Sequence, residues 1–163
     1  MPQRLYIETT IVSYVAAQRS ADLILAGRQE LTRQWWMHER QHYDLCISEL
    51  VEREAARGDA IAAAKRLDLL NACLRVPITS EARSLAGELI LCGLLPSSAD
   101  ADAMHLSCAV VNKLDMFLTW NCRHLANPRI LGAIGRFVRR IGYELPIVCT
   151  PNELMGAEDG SGE

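Results

Sequence analysis

The sequence predicts an α/β fold, a small sandwich in which a parallel sheet is covered by helices on both faces. Two observations predict it. Short apolar runs that read as strands alternate along the chain with longer segments of helical periodicity. Such alternation implies strands paired in parallel through helical crossovers. The length of 163 residues suits one domain, and a chain of that size buries about 70% of its unfolded surface without needing staples. No internal repeat, linker or low-complexity stretch divides it. The domain is expected over 1–155, with a small, polar, disordered tail over 156–163.

RLYIE (4–8) is the first strand. TTIVSYVAA then starts a short helix that Thr9 or Thr10 can cap. A long amphipathic helix is expected over 20–41, with Ser20 as N-cap and Leu23, Ala26, Gly27, Leu31, Gln34 and Trp35 near one face. YDLCIS (43–48) is the second strand. A helix over 49–58 stops at Gly58, and Asp59 caps another over 59–73. LRVPI (74–78) is a short extended piece, followed by a helix over 79–95 that Pro96 ends. The next helix, 97–113, opens on Ser97 or Ser98 with Asp100 in its first turn. LDMFLTW (114–120) is a strand, NCRHLANP a turn, 128–142 a helix and LPIVC (145–149) the last strand. TPNEL is expected to start a short terminal helix.

Composition excludes several classes. Half the residues are apolar and 6% are aromatic, an ordinary globular balance. A net charge of −3 does not suit passive, salt-driven coating of DNA. No apolar run approaches the ~18 residues of a membrane span, and the N-terminus lacks the pattern of a signal peptide, so the chain is expected to work in the cytoplasm. Six cysteines without a C-x-x-C pair read as small, reduced, mostly buried hydrophobes rather than disulfides or zinc ligands.

In parallel sheets ligands bind beyond the carboxyl ends of the strands, and acids stand there. Glu8 closes the first strand. Glu49, Glu52 and Glu54 follow the second. Asp100 and Asp102 open the helix after Pro96, and Asn121 follows FLTW with Thr119 before it. Carboxylates that converge in a partly dry site need counter-charge, and a divalent cation with a preference for oxygen supplies it. Each residue also has a plainer reading. Glu8 serves equally as a helix cap, the helix acids as solvated surface, His105 as a core or hydrogen-bonded histidine, and Trp35-Trp36 as core and interface.

The ordered set YIETT, SELVEREAARGD, DADAMHLSCAV and FLTWNCRHLAN resembles the PIN domain, most of all the VapC-type toxins of bacterial toxin–antitoxin pairs. The resemblance covers roughly residues 4–150. It implies a parallel sheet of about five strands and a cluster of acids that binds Mg²⁺ or Mn²⁺. It also implies hydrolysis of RNA phosphodiester bonds, a small antitoxin protein as partner, and a homodimer to which the long helix with Trp35 and Trp36 contributes. Carried over residue by residue, the first acid is Glu8, with Thr10 in support. The second is Glu54 of E-A-A-R-G, the third Asp102 of D-A-M-H, and the fourth position is Asn121 of L-T-W-N. Apart from the resemblance, the charge of Lys113, Arg123 and the arginines over 129–140 suits steering of the phosphate backbone, although a solvated helix face is the plainer reading of Arg129, Arg136, Arg139 and Arg140.

Two departures from the pattern matter. Glu8 replaces an aspartate and lengthens the arm by one methylene. Asn121 replaces a carboxylate, so the expected site charge is −3 and a single firmly held metal is expected. The same departures define an alternative, a PIN-like module that binds RNA or antitoxin without cleaving. A small-molecule phosphohydrolase fits less well, because it would need a nucleophilic Asp where Glu8 stands.

Overall fold

The computed structural model describes residues 1–156. Among them, β1 (Gln3–Ile7), β2 (Tyr43–Ile47), β3 (Leu74–Arg75), β4 (Met116–Leu118) and β5 (Ile147–Cys149) form one sheet in the order β3-β2-β1-β4-β5. Every pairing is parallel. The connecting helices are α1 (Thr9–Ala16), α2 (Leu23–His38), α3 (Glu49–Ala55), α4 (Ala60–Leu70), α5 (Ser80–Leu91), α6 (Asp100–Val111) and α7 (Pro128–Arg140). The α/β class and parallel sheet expected from the sequence are therefore present.

Strand order sets where a ligand can sit. The chain builds outward from β1 through β2 to β3, then returns to the other side of β1 for β4 and β5. The order reverses between β1 and β4, and at such a switch point a crevice opens beyond the carboxyl ends of the strands. Glu8 follows β1 at that place, and Thr119 follows β4.

Side-chain alternation decides what fills each face. Tyr6 lies in register with Cys46 on one side and Phe117 on the other, and the Tyr6 and Phe117 rings stack with centroids 5.0 Å apart. α6 covers this face, with the His105 ring edge-on to Tyr6 at 5.8 Å. The opposite face holds Tyr43, against which Trp35 of α2 packs at 6.1 Å. Helices thus cover both faces.

Several local expectations are corrected. Glu8, not Thr9 or Thr10, caps α1, its carboxylate accepting from the Thr10 backbone N–H. Asp22 rather than Ser20 caps α2, its Oδ1 accepting from the Leu25 N–H, while the Ser20 hydroxyl accepts from the Asp22 N–H ahead of the helix. The buried face of α2 carries Ala26, Gln29, Thr32, Trp35 and Trp36, while Leu23 is 81% exposed. Polar Gln29 and Thr32 are admitted because both are satisfied, Thr32 Oγ1 receiving Trp120 Nε1–H at 2.7 Å. Trp35 and Trp36 are core residues and offer no dimer surface. A 3-10 turn, Ser97–Ala99, precedes α6, which begins at Asp100 without a side-chain cap. Residues 151–154 form turns, not a terminal helix. Apart from Gly156, the tail expected over 156–163 lies outside the described residues.

Candidate active site at the carboxyl edge of the sheet

One further step along each strand carries the alternation from apolar to polar. Two residues beyond the Cys46–Tyr6–Phe117 row come Ser48, Glu8 and Thr119, all buried. Burial of Glu8 demands donors, and its Oε2 has three: the Thr10 N–H at 3.0 Å, Thr10 Oγ1 at 2.5 Å and Thr119 Oγ1 at 3.0 Å. The Glu8 backbone N–H donates to Leu118 O and fixes the residue to β4.

Glu54 lies at the end of α3. Its Oε1 accepts from Thr9 Oγ1 at 2.7 Å and pairs with His105 Nε2 at 2.5 Å. Burial alone would raise this carboxyl; the hydrogen bond and charge of His105, with the Thr9 hydroxyl, bring it below its ordinary value. His105 is itself held from behind. Its Nδ1 lies 2.7 Å from the Tyr6 hydroxyl, which lies 2.7 Å from Ser48 Oγ. An ionised Glu54 only accepts, so Nε2 carries the proton. In neutral His105, Nδ1 then accepts from Tyr6. Ser48 spends its hydroxyl on Tyr6 and leaves α3 without a side-chain cap. Burial pushes the Tyr6 phenol well above its ordinary value, so the hydroxyl stays a donor.

Asp102 stands on the first turn of α6, three residues before His105. Its Oδ2 pairs with His124 Nδ1 at 3.0 Å. His124 is in turn placed by Asn121, whose Oδ1 accepts the His124 backbone N–H at 3.0 Å. The Asn121 N–H donates to Thr119 Oγ1 at 2.9 Å, the hydroxyl that holds Glu8. Two hydrogen-bonded chains result, Glu8–Thr119–Asn121–His124–Asp102 and Thr9–Glu54–His105–Tyr6–Ser48, and they meet through the backbone, Thr9 following Glu8 and His105 standing three residues after Asp102 on α6. Glu8, Asn121 and Asp102 belong to the first chain and Glu54 to the second.

The arrangement also has limits. Asn121 spends its side-chain oxygen on the turn that carries His124, so its first task here is positional. Among the described residues, no three His, Cys, Asp or Glu side chains form a group that could hold a metal ion as they stand. Each of the three carboxylates gives one oxygen to protein partners, and no described residue bonds the other, Oε1 of Glu8, Oε2 of Glu54 and Oδ1 of Asp102. The rejected acids behave differently: Glu49 and Asp100 are exposed, and Glu52 pairs with Arg75 at 3.1 Å.

Tyr6, Ser48 and His124 carried no signal that singled them out. A tyrosine inside an apolar strand needs a partner for its hydroxyl, and that alone could have drawn attention to Tyr6. Lys113 is misplaced by the sequence reading, since it precedes β4 and sits at the amino edge, away from the acids. α7 runs back from the acid edge, so Arg139 and Arg140 end near the amino edge also, whereas Arg123 and Arg129 stay near the acids.

No family model matches the chain, and no curated protein matches it either. Solved structures do. VapC20 of Mycobacterium tuberculosis, a Sarcin-Ricin loop cleaving toxin, aligns at 12% identity and TM-score 0.58 over 74% of this chain and 92% of its own. A chain of the VapBC2 complex of Rickettsia felis, bound to a DNA fragment from their promoter, aligns at 15% identity and TM-score 0.51 over 91% of this chain and 98% of its own. At such identities the likeness is one of fold, and it is the fold that the PIN-domain resemblance implies.

Proposed function

We propose that this chain is a metal-dependent endoribonuclease, the toxin of a toxin–antitoxin pair, with Mg²⁺ or Mn²⁺ held by Glu8, Glu54 and Asp102. The observation that carries the proposal is the pair of hydrogen-bonded chains at one edge of the sheet, which leaves each of three carboxylates one oxygen free of hydrogen bonds to described residues. Hard oxygen donors of this kind suit Mg²⁺ and Mn²⁺. Gathering them on one ion requires rotation of side chains that now face His105 and His124. When bound, such an ion neutralises charge on a phosphoryl oxygen and acidifies water.

The protein's own part is positional. Thr10 and Thr119 fix Glu8, Thr9 and His105 fix Glu54, and His124 fixes Asp102. Asn121 does not need a charge for its role, because an amide oxygen accepts the His124 N–H as an aspartate would. Arg123 and Arg129 stand near the same edge with the sign to attract an RNA strand. A small antitoxin protein is the proposed partner, supported by the fold shared with a VapBC2 complex. A homodimer and work in the cytoplasm complete the proposal. No helix of the described residues is long and apolar enough to cross a membrane.

A second reading, a PIN-like module that binds without cleaving, is favoured by the absence of a ready three-ligand group among the described residues. Incubation of a mixed RNA pool with purified protein, in Mn²⁺ and in EDTA and beside Asp102→Asn, separates the two. Cleavage that needs Mn²⁺ and disappears in Asp102→Asn supports the nuclease. No cleavage, and no rise in melting temperature with Mn²⁺, supports the binding module.

A further inference from the structure

α7 is the most strongly two-sided helix of the fold. Its inner face buries Ile134, Gly135 and Val138. At 100° per residue, the positions opposite Val138 are Arg129, Arg136 and Arg140, all exposed and within about 20° of one line. Arg139 lies beside them, and Gly132 and Ala133 occupy the turn between. The crest from Arg129 to Arg140 is ~16 Å long at ~1.5 Å per residue. Its first arginine adjoins the turn that carries Asn121 and His124, and its last lies at the far edge of the sheet. Arg136, Arg139 and Arg140 line an open cavity of about 400 Å³.

We propose that this arginine crest is a binding track for the phosphate backbone of a single RNA strand leading away from the acid edge. The proposal rests on the ribonuclease reading for its substrate class, but needs neither metal nor cleavage. Four features favour a polyphosphate chain over a protein partner. The charge is concentrated in a chain that is acidic overall, so the crest is a local positive field. All the cations are arginines, whose planar fork matches a phosphate. Among the described residues a carboxylate approaches only Arg139, Glu144 at 4.0 Å with both side chains well exposed, which neutralises little. No large apolar side chain stands on the crest, and a protein interface would need such an anchor. At ~3.4 Å per phosphate of a stacked strand, the crest accommodates about five phosphates.

The test is binding, read by fluorescence anisotropy with a labelled 20-nucleotide single-stranded RNA, in EDTA and across 50–200 mM salt. The double variant Arg136→Gln/Arg140→Gln is compared with wild type and with Arg53→Gln/Arg83→Gln, which removes two exposed arginines from other helices. Two lost phosphate contacts are expected to lower the salt slope by about 1.4, or roughly 25-fold in affinity at 100 mM. The control pair is expected to stay within about twofold. Equal weakening in both pairs, an unchanged slope in the crest variant, or no RNA binding by wild type overturns the proposal. RNA binding unchanged but polyglutamate binding lost would reassign the crest to an acidic protein. RNA cleavage with an unaffected crest variant defeats this inference alone. Crest-dependent binding without any cleavage defeats the nuclease reading and leaves the track standing.

Discussion

Tyr6→Phe removes one oxygen from the centre of the molecule. That oxygen lies 2.7 Å from Ser48 Oγ and 2.7 Å from His105 Nδ1, and none of the three residues is more than 1% exposed. Phenylalanine keeps the ring and its stack on Phe117, so packing changes little. Two polar atoms are left facing a hydrogen where the hydroxyl stood. An unsatisfied buried partner costs ~1–3 kcal/mol, so the pair should cost ~2–6 kcal/mol. For a domain of this size that corresponds to a fall in melting temperature of about 4–24 °C. Differential scanning calorimetry at pH 7 measures it, with Tyr14→Phe as the control. Freed of its tautomer constraint, His105 should also hold Glu54 less firmly, and Mn²⁺ should bind about tenfold more weakly. A loss below ~0.5 kcal/mol, the size of an ordinary surface substitution, would refute the relay from Ser48 to Glu54.

Further outcomes follow from the same geometry. Asn121→Asp keeps an acceptor for the His124 N–H and adds a fourth carboxylate. Its melting temperature without metal should stay close to wild type while Mn²⁺ binds more tightly, and calorimetric titration reads both. The Glu54 carboxyl is held below its ordinary value of 4.5. The resulting stabilisation is complete above that value and is lost as pH falls through the lower folded one. Glu54→Gln should therefore be less stable than wild type at pH 7, with the gap closing as pH falls below 4.5 in acid unfolding curves. Burial pushes Cys73 and Cys108 up to about 11 and Cys149 up to about 12, and Cys46 is also raised and buried. A thiol reagent at pH 8 should react quickly with Cys92 and Cys122 and slowly with the other four.

Much of the frame was legible because its signals are local. An apolar run closed by Glu-Thr-Thr marks a strand meeting a helix. Asp59 marks a cap, and it accepts from the Ala62 N–H; the helix before it ends at Ala55, three residues short of the expected stop at Gly58, whose φ of +86° belongs to the turn between the helices. What stayed hidden depends on partners far along the chain. Ser48 is 42 residues from Tyr6, and His105 is 99, so nothing in the neighbourhood of either predicts the relay. The buried face of α2 misleads for the same reason: Thr32 belongs inside only because Trp120 reaches it from 88 residues away. Lys113 shows a different failure. Charge and proximity in sequence suggested a phosphate contact, but a residue before a parallel strand lies at the opposite edge from one after it.

The central claim is that Glu8, Glu54 and Asp102 share one divalent ion. Isothermal titration of metal-free protein with Mn²⁺, repeated on Asp102→Asn and Glu54→Gln, tests it without RNA or partner. One ion per chain, with binding strongly weakened in both variants while their folds persist, is the result expected. No Mn²⁺ binding by wild type, or binding that either variant leaves unchanged, would contradict it.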